Sequence, residues 1–220
     1  KILPKAAPQW KKNKVGKRNT AMGANSLWNS NANNNTAIGY SAAYGTTTGY
    51  SNTALGSYAL YSNTNRSNLV AIGDSALFNN GIGAIGVDDA TKNTAVGSKA
   101  MFSNTTGFQN AAFGTDALRA NTSGYANTAM GVWTLYSNTT GTYNTATGRS
   151  VLRNNTTGAN NLGVGFSALY LNTTGSNNTA TGYQALRGNT TGSNNTALGF
   201  NAGVSSGALT NATALGNGAI

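Results

Sequence analysis

The side chains able to do chemistry in this chain are arginines, aromatic residues, threonines and a few aspartates, and several of these recur at a set interval. Trp28, Tyr44, Tyr61, Phe78, Phe102, Arg119, Tyr136, Arg153, Tyr170 and Arg187 follow one another at steps of 16 or 17 residues, with a single step of 24. If the interval is one structural repeat, these residues stack as a ladder. Two readings fit such a ladder. It suits contact with a glycan or polyanion, with cation–π pairing between neighbours, and it equally suits a half-buried contact between chains, where Tyr and Arg are favoured. Thr20, Thr36, Thr53, Thr94, Thr128, Thr145, Thr179, Thr196 and Thr213 make a second column, interrupted by Val70, Ala111 and Leu162.

Three of the four acidic residues, Asp74, Asp88 and Asp89, fall near Lys92. Hard cations want several oxygen ligands, but these carboxylates lack the regular Gly/Asp repeat of calcium-binding solenoids. A local bend explains them better. The chain has no His and no Cys. That removes the imidazole general base, the thiolate nucleophile and the usual soft metal ligands. Nothing in the sequence implies a cofactor, a metal or an enzyme.

The elements that must position the ladders are copies of one unit. Asn178-Thr-Ala-Thr-Gly182-Tyr-Gln-Ala-Leu186-Arg-Gly-Asn189-Thr-Thr-Gly192-Ser-Asn is followed by another copy 17 residues on. A fixed period of this kind indicates a solenoid. Anchored on the glycine in the fifth position, the copies run through Gly23, Gly39, Gly56, Gly73, Gly97, Gly114, Gly131, Gly148, Gly165, Gly182, Gly199 and Gly216. The step from Gly73 to Gly97 is long and contains an extra anchor, Gly86, which suggests two short irregular coils and about 13 coils in all. Position one is nearly always Asn. Position three is Ala in every regular copy except at Gly163, position four is mostly apolar, and positions eight and nine are usually Ala-Leu.

A five-residue unit with Thr, an apolar residue and a closing Gly reads as a short strand ended by a turn. The Ala-Leu segment reads as a second strand, and Asn-Thr-Thr-Gly as a turn in which Gly or Asn takes positive φ. The expected fold is all-β, a parallel β-solenoid over residues 19–220. A helical repeat is disfavoured by recurrent Gly and β-branched Thr. Disorder is disfavoured because disordered tracts need no Ala held at one column. The Asn-x-Thr and Asn-x-Ser sequons at Asn104, Asn121, Asn138, Asn172 and Asn189 read as turn chemistry rather than glycosylation sites.

Residues 1–18 stand apart from the repeats. Half of the 14 basic residues lie there (Lys1, Lys5, Lys11, Lys12, Lys14, Lys17 and Arg18), in a chain of net charge +10. Without spaced aromatics or an amphipathic period, this leader reads as a flexible or docking extension rather than a nucleic-acid or membrane arm. No apolar run is long enough to span a bilayer.

The unit Asn35-Thr-Ala-Ile-Gly39-Tyr-Ser-Ala42, with Val70-Ala-Ile-Gly73 and Ala84-Ile-Gly86, resembles the head repeats of trimeric autotransporter adhesins. Related repeats occur in bacterial surface proteins and phage tail fibres. The resemblance implies a left-handed β-roll, three chains around a threefold axis, display outside the cell or on a virion, and attachment to a host-surface glycan or protein. Two alternatives accompany it: a phage tail-fibre shaft, and an ice-binding solenoid, which the threonine column resembles. A further expectation is that an open strand edge near Ile220 lets rods stack end to end.

Overall fold

The computed structural model describes residues 16–220, so most of the basic leader lies outside the described residues. Position two to position four of every repeat forms one three-residue strand. In order these are β1 (Thr20–Met22), β2 (Thr36–Ile38), β3 (Thr53–Leu55), β4 (Val70–Ile72), β5 (Thr94–Val96), β6 (Ala111–Phe113), β7 (Thr128–Met130), β8 (Thr145–Thr147), β9 (Leu162–Val164), β10 (Thr179–Thr181), β11 (Thr196–Leu198) and β12 (Thr213–Leu215). They make one parallel sheet in simple sequence order, each Ala or Gly of position three opposite the next. Successive strands of a sheet lie about 4.8 Å apart, so the twelve span a rod roughly 50 Å long. The chain is a β-solenoid.

Three expectations need correction. The first is the coil count. β4 pairs directly with β5, Val70 opposite Thr94, so Ala84-Ile-Gly86 contributes no strand. The extra residues leave the rod as a loop between Gly81 and Ala90, whose N–H groups donate to Thr105 and Thr106 of the following coil. A buried arginine clamps that loop: Arg66 donates from Nη1 to the Gly86 carbonyl (2.9 Å) and from Nη2 to that of Ala84 (2.7 Å). Asp89 accepts from the N–H groups of Ile85 and Gly86.

The second is the Ala-Leu segment, which is not a strand. Positions seven and nine have left-handed φ, as at Gln184 (55°) and Leu186 (49°). Its bonds between coils run both ways: Gln184 N–H to Phe166 and Leu186 N–H to Ala202, both at 2.8 Å. Left-handed φ costs a non-glycine residue about 1–2 kcal/mol. Two such residues per coil cost about 2–4 kcal/mol. Full burial of the position-nine leucine returns about 1.5–3 kcal/mol, and the buried position-eight residue between them and the two coil-to-coil hydrogen bonds add to it. Burial and hydrogen bonding together therefore win over backbone strain, and the chain turns tightly enough to close a 17-residue coil.

The third is the Asn-Thr-Thr-Gly turn, where neither Asn nor Gly has positive φ. Glycine is needed there for space: a Cβ on Gly124 would lie 2.5 Å from the Gly141 carbonyl oxygen and 2.8 Å from Asn138 Nδ2. The fifth-position glycines do need their conformation, with φ from +116° at Gly216 to +138° at Gly114.

The interior is half aliphatic and half amide. Ala of positions three and eight and Leu of position nine fill one side. Asn of positions one and twelve fills the other, in two ladders. In the first, Asn127 donates from both its backbone N–H (3.0 Å) and Nδ2 (3.1 Å) to Oδ1 of Asn110, and Asn144 repeats this on Asn127. In the second, Nδ2 of Asn121, Asn138, Asn155, Asn172 and Asn189 each donates to Oδ1 of the Asn one coil earlier, at 2.7–2.9 Å. Both ladders also converge on the position-fifteen carbonyl, as Asn127 and Asn138 do on Gly141. Among the sequons, Asn104, Asn121, Asn138, Asn172 and Asn189 are all fully buried, with their amides committed to these bonds.

Replacing Asn138 by Ala removes a donor to Asn121 and Gly141 and the acceptor for Asn155. Each buried polar group left without a partner costs about 1–3 kcal/mol. Asn138→Ala is therefore expected to lower stability by at least about 2 kcal/mol and to speed amide hydrogen exchange in its own and adjoining coils first.

The single departure from Ala at position three has a steric cause. Val151 stands where position eight is usually Ala, and a Cβ on Gly163 in the next coil would collide with its Cγ1. Gly163→Ala should cost about 1–3 kcal/mol by overpacking. Adding Val151→Ala should recover most of that loss, because the pair then matches the Ala/Ala of most other coils. Denaturation midpoints of the two single variants and the double give the coupling directly.

Candidate functional site

Two stretches of the column predicted at position ten are stacked, Tyr44 to Phe102 and Arg119 to Arg187. Tyr44, Tyr61, Phe78 and Phe102 lie with ring centroids 5.2, 5.0 and 5.1 Å apart and planes within 16° of parallel. From there the column alternates Arg119, Tyr136, Arg153, Tyr170, Arg187. Each guanidinium sits 5.6–5.7 Å from the neighbouring tyrosine ring centres. Arg119 donates to the Tyr136 hydroxyl (2.6 Å) and Arg153 to that of Tyr170 (2.7 Å). Arg119 also forms an ion pair with Asp116, at 3.3 Å. Trp28 heads the column, half-buried.

A second ladder runs beside the first, at position six. Phe166, Tyr183 and Phe200 stack at 5.3 and 5.0 Å, and Arg149 caps them 5.8 Å from the Phe166 centroid. Trp133, at position seven, bridges the two ladders, with Arg149 and Arg153 at 5.1 and 5.5 Å from its ring. Column six could have been read from Tyr40, Val132, Arg149, Phe166, Tyr183 and Phe200, but Ala24, Ser57, Asp74, Ser98 and Thr115 fill the rest of its first half and dilute the signal.

Between the ladders lies an open groove of about 300 Å³. Its walls are Trp133, Arg149, Arg153, Phe166, Tyr170 and Arg187, and its floor is Ser150, Ser167 and Gln184. No acidic residue lines it. A second cleft of about 300 Å³ lies under the 81–89 loop, beside Tyr50, Val87, Asp88 and Lys92. Lys92 Nζ lies 3.2 Å from Asp88 there, and Arg66, also in its lining, is committed to the loop carbonyls. Asp89 serves the loop backbone, and no group of three metal-ligating side chains exists among the described residues. The threonine column lies in register on the strands, partly to fully exposed, beside apolar rather than Thr residues in most coils.

The strand face carries one more column. At position four, Met22, Leu55, Phe113, Met130, Leu198 and Leu215 are 40–64% exposed. Ile38, Ile72, Val96 and Val164 continue it, half-buried.

No family model matches the chain, and no curated protein or solved structure is significantly similar to it. Its class, a parallel β-solenoid, rests on its own geometry.

Two tyrosines outside the position-six and position-ten columns titrate late. Burial against its neighbours, and then the charge Tyr40 would carry, hold the Tyr58 hydroxyl above the ordinary tyrosine value. Tyr143 is raised chiefly by its hydrogen bond with Tyr125. Both favour the protonated form in the folded chain, so their contribution to stability is complete below about pH 10 and declines as pH rises past it. In an ultraviolet titration a late tyrosinate component should appear, and Tyr58→Phe together with Tyr143→Phe should abolish it.

Proposed function

We propose that the chain is a rod-forming segment of an attachment fibre, non-enzymatic, assembled from three copies and displayed outside a cell or on a virion. The observation that carries this reading is the position-four column. Exposed and half-buried apolar side chains on seven successive coils, Met22 to Met130, and again at Val164, Leu198 and Leu215 past Thr147 and Thr181, form a strip longer than a monomeric surface normally leaves uncovered. A covering partner must match a repeat of about 4.8 Å along the whole rod. Another copy of the same chain does so by construction. Three copies rather than two follow from the resemblance to trimeric adhesin heads. A rod of this kind works mechanically: it holds many weak contacts at fixed spacing, so avidity supplies what one site lacks. A phage tail-fibre shaft is the same physical object with a different owner. End-to-end stacking of such rods would extend the fibre.

Ice binding has less support. It wants paired rows of threonine, and Thr-x-Thr occurs in only two strands, Thr145–Thr147 and Thr179–Thr181.

Light scattering should give close to three times the chain mass of 22.4 kDa. Phe113→Glu with Met130→Glu, adjacent on the exposed column, should give monomers that keep the β circular dichroism spectrum. A monomeric wild type would sink the assembly. Thermal hysteresis in dilute solution should be absent, and its presence would move the reading to ice.

A further inference from the structure

We propose that the groove between Trp133 and Arg187 binds an acidic linear polysaccharide carrying one carboxylate or sulfate on alternate sugars. The inference rests on the attachment reading and names the ligand class. Charge comes first. Beyond Asp116 the chain has only four charged side chains, Arg119, Arg149, Arg153 and Arg187. All four lie in the two ladders, and three line the groove. A single-sign row of this kind, with no acid beyond Asp116 to neutralise it, creates a local field that draws anions.

Geometry narrows the class. The position-ten arginines occur on every second coil, about 9.6 Å apart at the strand spacing. An extended polysaccharide with an acid on alternate sugars presents its charges at a comparably wide interval. A nucleic-acid strand in a duplex has a phosphate every ~3.4 Å. Single strands are usually held by bases stacking on open aromatic faces. Here those faces are taken up by Arg–Tyr and ring–ring stacking within the ladders. What remains open is ring edges, guanidinium edges and the half-exposed amide of Gln184, which match sugar hydroxyls and acid groups.

The arginines are also held in place at a cost. Tyr170 stacks on Arg153 and accepts its Nη1–H, which fixes the guanidinium plane. Nε of Arg153 is buried with no acceptor. An unpaired buried donor is unfavourable, and the same column accepts Tyr at 136 and 170 without that cost. Prepositioned planar guanidinium groups suit carboxylate and sulfate better than mobile ammonium groups do.

The experiment uses the full chain and a hyaluronan octasaccharide as probe, with maltooctaose, a thymidine dodecamer and polyglutamate as comparisons, by calorimetry at two salt concentrations. Arg149→Gln/Arg153→Gln/Arg187→Gln should bind hyaluronan on the order of a hundredfold more weakly. The triple Lys variant, which keeps the charge and the fold but not the fork, should fall between. Replacing Lys5, Lys11, Lys12 and Lys14 by Gln should leave hyaluronan binding within about twofold, because the leader supplies only unspecific attraction. Equal hyaluronan binding by wild type and both arginine variants overturns the proposal. So does a loss confined to the leader variant, or tighter binding of the oligonucleotide or polyglutamate than of hyaluronan. The light-scattering mass of the same samples is a separate readout: an intact assembly that ignores hyaluronan removes the ligand and leaves the rod.

Discussion

The rest of the structure depends on the side-chain amide of asparagine used as an interior building block. A 17-residue coil encloses too little volume for an aliphatic core on all sides, and its turns leave carbonyls pointing inward. Asparagine resolves both problems. As at Asn127, its Oδ1 accepts from the coil that follows, and its Nδ2 donates both to the coil before and to an inward carbonyl, so the amide is satisfied on both sides. A buried amide without partners would cost about 1–3 kcal/mol, and 17 buried asparagines without partners would unfold the rod many times over. Repetition removes the penalty, because each amide's partner is the next copy of itself. Leu69 shows the other solution. It fills a position-one slot with apolar volume, and its N–H still donates to Asn52 Oδ1.

The same dependence explains which other residues are restricted. The position-fifteen glycine must be small because the position-twelve asparagines of its own and the following coil, and the carbonyl of the next such glycine, crowd around it. Where Arg66 takes that position, its carbonyl still accepts from Asn52 and Asn63, and its long side chain is directed to the 81–89 loop. Asn63 Oδ1, next to that loop, is the one Asn oxygen of these columns left buried without a partner among the described residues. The insertion thus breaks one ladder locally. Two backbone carbonyls held by a guanidinium stabilise the place where it does.

Much of this architecture was legible in the columns. Strand position, parallel order and the ladder at position ten follow from period and residue type, because stacking turns any conserved column into a line. What was not legible is conformation inside the coil. Leu186 gives no sign of left-handed φ, since leucine ordinarily avoids it; only the balance between strain and burial in the folded coil decides. Asn-Thr-Thr-Gly carries a strong local turn preference that hides its asparagine's interior role. Ala84-Ile-Gly86 matches a strand unit by type, but Val70 finds Thr94 instead, because inserting two short coils would leave the Asn80 and Asn104 amides without each other.

An interior that is satisfied by repetition leaves the outside free to vary, and here it varies by segment. The first half of the position-ten ladder is aromatic, and the second half alternates Arg with Tyr. Both halves stack, so stacking alone does not select arginine. An isolated surface guanidinium on a tyrosine is worth about 0.5–1 kcal/mol, which is no more than a ring on a ring supplies. Packing therefore gives no reason to place the cations in one half of the column and to leave Arg149, Arg153 and Arg187 without an acid among them. The segregation is a property of the surface, and a rigid rod is the scaffold on which such a surface keeps its spacing.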